Sequence, residues 1–133
     1  NIYEVLGALD SRAILSVFDK ITPDHIERMK KINEKMFRTV TTSRENQYFD
    51  LNNEFHNVYL DLSSNTLMLG QLSILRQRLF EFGSKGDWIE KVRQLNYIEH
   101  LKLIDLVEKG DGKAVADFIR DTHCSINWDL PEK

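Results

Sequence analysis

Helix breakers are scarce in this chain, and the few present lie in telling places. The 133 residues include only 2 Pro and 6 Gly, and almost all of them fall between stretches of helical periodicity. A chain punctuated so rarely is suited to long helices. Ile2, Val5, Leu6, Leu9, Ala13, Ile14 and Val17 recur at helical spacing, which predicts a first helix over Ile2–Asp19. Thr22-Pro23-Asp24 is a start signal: Thr as N-cap, Pro at the first helical position, then an acid near the positive helix end. The helix that follows has Ile26, Met29, Ile32, Met36 and Phe37 on one stripe and Glu27, Lys30, Lys31 and Glu34 on the other, with His25 read as exposed in its first turn. Val40-Thr41-Thr42-Ser43 predicts a break. Further helices are expected over Glu45–Leu62, Leu67–Phe82, Trp88–Lys109 and Lys113–Trp128. Between them lie Ser63-Ser64-Asn65, the turn Gly83–Asp87 with Asp87 as N-cap, and Gly110-Asp111-Gly112, while Pro131 falls in the tail. No segment alternates like a strand for long. Six helices joined by short turns predict an all-α protein, an antiparallel bundle of about six helices in a single domain over residues 1–133.

Composition narrows the function classes. Hydrophobic residues are 41% and charged residues 29%, an ordinary globular mix. The net charge of −3 and a sequence pI of about 5.8 leave no basic footprint, so nucleic acid is a poor partner for this chain by itself. No apolar run approaches the roughly 18 residues of a membrane span, and no signal peptide is visible. One cysteine, Cys124, excludes an internal disulfide and fits a reducing compartment, so a cytoplasmic location is expected.

The polar residues on apolar faces carry the chemistry. Asn52 and His56 are four apart and share a helix face with Phe49, Tyr59 and Leu60. His100 sits mid-helix among Tyr97, Leu103, Ile104 and Val107. His123 has Ala116, Ile119 and Ile126 at helical spacing, and Thr122 is almost as inward, beside Val115, Phe118 and Ile119. Buried imidazoles must be hydrogen-bonded or bound to something. Core histidines satisfied by neighbours and a metal or polar-ligand site are both open on this count, since bundle interiors are where such folds build sites and imidazole suits Zn, Ni, Cu and Fe. A di-iron bundle needs Glu-x-x-His pairs, and no histidine here has a Glu three residues before it. Phosphate loops, nucleophile elbows and zincin motifs are absent, so catalysis is not expected.

Glu54-Phe55-His56, a short gap, then Ser63-Ser64-Asn65-Thr66-Leu67 resembles the signature of the FCD domain, the effector-binding domain of FadR-type GntR transcription regulators. The likeness extends along the chain: Tyr3–Leu6 through Leu9-Asp10-Ser11-Arg12-Ala13 near the start, Thr22-Pro23-Asp24, then Glu99-His100, Ile104, Gly110-Asp111, Ala114 and His123 near the end. It implies a ligand-sensing and dimerisation domain that binds a small organic acid or related metabolite, with a divalent metal such as Zn or Ni as a possible cofactor. Carried over, the metal ligands would be Asn52, His56 and His100, completed by His123 or Thr122. Counted from His100, the family's last histidine falls at Thr122, and a one-residue insertion near Gly110–Gly112 would restore His123. Arg76 and Arg78 are the candidates to meet an effector carboxylate. The resemblance also implies a homodimer, and DNA contact only through an N-terminal winged helix absent from this chain. The competing readings are a helical metal-dependent enzyme and a helical interaction module without a pocket.

Overall fold

The computed structural model describes residues 1–40, 45–83 and 89–124. Six α-helices appear among them and no strand: α1 Ile2–Val17, α2 Pro23–Arg38, α3 Glu45–Leu60, α4 Thr66–Gly83, α5 Ile89–Lys109 and α6 Gly112–Phe118. A 3₁₀ turn over Phe18–Lys20 ends α1, and a π turn over Ile119–His123 extends α6. The expected all-α bundle is what the chain forms. The expected break at Thr41–Ser43, the turn at Ser84–Asp87 with its Asp87 cap, and the last helix beyond Cys124 lie outside the described residues.

The helix starts follow local chemistry. Thr22 Oγ1 accepts from the His25 backbone N–H at 3.4 Å, and the His25 Nδ1 accepts from the Thr22 backbone N–H at 2.9 Å. His25 is therefore half-buried and closes a capping box, where the sequence had suggested a ring with no role. Asn65 Oδ1 accepts from the Met68 N–H and starts α4 one residue earlier than expected. Gly110 ends α5 at φ 79°, a left-handed conformation that suits glycine, and Asp111 Oδ1 then caps α6 through the Ala114 N–H.

Packing places α2 against α3 and α5, and α1 against α4, α6 and the π turn. The α2–α5 pair is antiparallel, because Lys30 meets Glu108 at one end and Thr39 meets Arg93 at the other. In contrast α3 and α5 run in the same sense: Tyr48 meets Asn96 and, further on, Phe55 stacks on His100 with ring centroids 3.8 Å apart. Phe55, Tyr59, Ile14, Met29, Met36, Leu72, Leu103 and Ile119 are fully enclosed and form the core. At Gly7, α1 comes so near the π turn that an added Cβ would lie 3.1 Å from the Cys124 Cβ and 3.2 Å from the Arg120 carbonyl oxygen.

Candidate metal centre

Three imidazoles converge inside the bundle, one each from α3, α5 and the π turn. His123 Nε2 lies 3.2 Å from His100 Nε2 and 3.3 Å from His56 Nε2. His56 and His100 are buried and His123 is nearly so. The neighbouring turn brings His123 and not Thr122 to this point. Its hydrogen bond runs from the Cys124 N–H to the Ile119 carbonyl, five residues back, at 2.9 Å. Residues in such a wide turn advance by a smaller angle than the α-helix's 100° or so. His123 therefore stays over the inward-facing Ile119, and Thr122 swings out to an exposed position. His123 thus reaches the cluster through this wide turn.

Each ring is held from behind through its Nδ1. His123 Nδ1 donates to Glu99 Oε1 at 2.7 Å. His100 Nδ1 donates to Asn33 Oδ1 at 3.1 Å, while the Asn33 amide nitrogen donates to the Tyr97 carbonyl at 3.3 Å and so fixes which way the amide points. His56 Nδ1 lies 2.7 Å from the Tyr59 hydroxyl, and that hydroxyl donates to Asp10 Oδ1 at 2.6 Å. With its proton committed to Asp10, the Tyr59 oxygen accepts from His56 Nδ1–H. Asp10 is fully buried and ion-paired with Arg76, which is buried in turn.

These hydrogen bonds suit the Nδ1–H tautomer in each ring, and in that tautomer the three Nε2 lone pairs face one another. Burial, together with the nearby Arg76 charge and the other imidazoles, holds the pKa of His56 well below its ordinary value. Burial, His123 and Arg76 do the same for His100. Burial and the Asp10 charge push the Tyr59 hydroxyl up, so it stays a donor. Neutral imidazoles with opposed lone pairs suit a cation between them, and a hydrogen bond from the far nitrogen to a carboxylate or carbonyl is how metal-bound histidines are oriented.

His56, His100 and His123 offer donor atoms within 4.8 Å of one another. Residues 1–122 match the FCD domain. The chain belongs to the FCD domain family. FCD domains are the C-terminal effector-binding and regulatory domains of GntR-family regulators, and they are often metal-binding. No curated protein and no solved structure matches this FCD domain. No described helix is long and apolar enough to cross a membrane.

Other residues singled out from the sequence fall as follows. Asn52 is half-buried one turn before His56, and its Oδ1 is enclosed without a hydrogen-bond partner. Arg76 is tied to Asp10, and Arg78 is exposed on α4. Sequence reasoning gave no role to Asn33, Tyr59 or Glu99 at this site. Glu99 adjoins His100, and Tyr59 follows His56 at a spacing that shares its face, so both had a local signal. The link from Tyr59 to Asp10 joins residues 49 positions apart and had none.

Proposed function

We propose that this FCD domain is the ligand-sensing and dimerisation domain of a GntR-type transcription regulator, and that it senses a small organic acid at a divalent metal, Zn or Ni, held inside the bundle. His56, His100 and His123 would hold the ion through Nε2, with the Asn52 amide oxygen as a fourth donor. The observation that carries this reading is the convergence of three Nε2 atoms, each ring being held through its Nδ1 by Glu99, Asn33 or Tyr59. An ion bound by so few protein donors keeps positions open to ligand oxygen and supplies Lewis acidity there. The chain's own part is orientation and exclusion of water. Glu99, Asn33 and the Tyr59–Asp10–Arg76 chain hold the rings, and Phe55 lies flat on His100. Effector binding would favour one arrangement of a homodimer and so change the spacing of DNA-binding domains supplied by another part of the regulator.

Thermal unfolding with and without added Zn or Ni tests the metal. At about one hundred times the dissociation constant the ion should stabilise the fold by roughly 2.7 kcal/mol. His100→Ala should abolish most of that gain, and His25→Ala should keep it. A parent chain whose melting temperature ignores both metals would reject the ion.

A further inference from the structure

Beyond the three histidines, one buried charge has no counter-ion among the described residues. Arg93 is 3% exposed. Its guanidinium lies over the Tyr48 ring, 4.9 Å from the centroid, and makes one long contact of 3.5 Å to the Thr39 carbonyl. Its Nε–H has no partner, and among the described residues no carboxylate pairs with it. Arg76, equally buried, has Asp10. A guanidinium does not shed its proton, so an enclosed one without an anion is costly.

The other enclosed side-chain atom without a partner among the described residues is Asn52 Oδ1. Asn52 stands on α3 and Arg93 on α5, helices whose side chains meet along a seam at Tyr48, Asn96, Phe55 and His100. Along α3, Tyr48, Asn52 and His56 follow one another at single turns. Along α5, Arg93, Asn96 and His100 do the same. Tyr48 bonds to Asn96 and Phe55 stacks on His100, so the two rows run side by side. The histidines stand at one end of this seam and Arg93 at the other, about 10 Å apart along α5.

Charge counting sets the ligand class. All four donors proposed for the ion, three imidazoles and an amide, are neutral. Glu99 is bonded to His123 and Asp10 to Arg76, so neither faces the ion directly. A divalent cation there, with Arg93 two turns away, leaves positive charge at both ends of the seam, and among the described residues no carboxylate pairs with either end directly.

We infer that Arg93 is the anion-binding end of the effector site, and that the effector is a short dicarboxylate. One carboxylate accepts from the Arg93 fork, whose geometry matches it, and the other reaches the histidine end. This rests on the reading of the histidine cluster as the effector site.

The test uses malonate, succinate, glutarate and adipate as probes, with acetate and butyrate for comparison. Each is titrated calorimetrically into the chain with saturating Zn and again with EDTA. At least one dicarboxylate should bind the Zn-loaded chain ten or more times more tightly than either monocarboxylate. Arg93→Gln should weaken that binding tenfold or more and leave the Zn-induced rise in melting temperature unchanged. Arg93→Lys keeps the charge but loses the fork, and should fall between; it carries the test if the Gln variant does not fold. Equal binding by parent and variant, equal binding of mono- and dicarboxylates, or no binding by any probe would overturn the inference. If Zn itself fails to bind, the metal reading falls alone. Dicarboxylate binding in EDTA that Arg93→Gln removes would then still uphold the anion end, and its absence would overturn it.

Discussion

The arrangement at His56, His100 and His123 makes the metal-free chain sensitive to acid in a defined direction. His56 and His100 have folded-state pKa values lowered by burial. Above their ordinary value of about 6.5 both folded and unfolded states are neutral, and pH has no effect through them. Below it the unfolded chain takes up protons that the folded chain refuses, so stability falls as the pH drops. The slope is at most about 1.4 kcal/mol per pH unit for each ring. Denaturant unfolding in EDTA between pH 7.5 and 5 should show the midpoint dropping below pH 6.5, and a midpoint flat across that range would contradict the lowered pKa of the two buried rings. Asp10 gives a second expectation. Asp10→Asn would leave Arg76 buried beside a neutral amide and should cost about 3–5 kcal/mol, measured by urea unfolding. The same change loosens the support behind His56 and should weaken Zn binding by about 10–100-fold. The grouping of His56 and His100 with His123 or Thr122 was anticipated through the resemblance, but the supports behind the rings were not legible. Asp10 stood in the sequence only as an acid after a Leu, and Arg93 as one more helical arginine, because spacing reports which face a residue occupies and not what meets it from another helix.

Among the elements, the π turn decides most. Periodicity placed α1, α2, α4 and α5 to within a few residues and recognised the Thr22 cap, since those signals are local. It could not choose between Thr122 and His123, because each lies within a fraction of a turn of Ile119 under α geometry. The choice is made by one hydrogen bond skipping a residue, from Cys124 to Ile119. If the wide turn holds a surplus residue, removing one should let it close. Deleting exposed Asp121 should restore α geometry, keep the histidine inward and retain the Zn-induced rise in melting temperature, whereas His123→Ala should lose it. A deletion variant that folds, by circular dichroism, but ignores Zn would show that the turn does more than absorb a residue. The His25 capping box is the reverse case. Thr22 predicted the helix start, but the ring's return to the Thr22 N–H came from a histidine standing where Glu or Gln is the usual partner.

As a whole molecule, the chain leaves apolar side chains uncovered on four helices, Phe37 on α2 and Ile98 and Leu101 on α5 among them, and the pair α1 and α4 carries Val5, Leu15, Leu67 and Ile74. Light scattering at about 50 micromolar, an ordinary affinity range, should report a dimer. Leu67→Glu with Ile74→Glu should give a folded monomer, and a monomeric parent would remove the dimer from the account. The net charge of −3 adds that duplex DNA should not be retained specifically by this chain alone, as a gel-shift assay would show. The near contact at Gly7 ties these scales together. A Cβ added at Gly7 would need the last turn to give by a few tenths of an ångström, so α1 meets that turn closely at Arg120 and Cys124, and His123 lies between them in the chain. The two ends of the described fold thus meet beside the turn that carries the third imidazole. A grip on the first helix is a hand on the third imidazole.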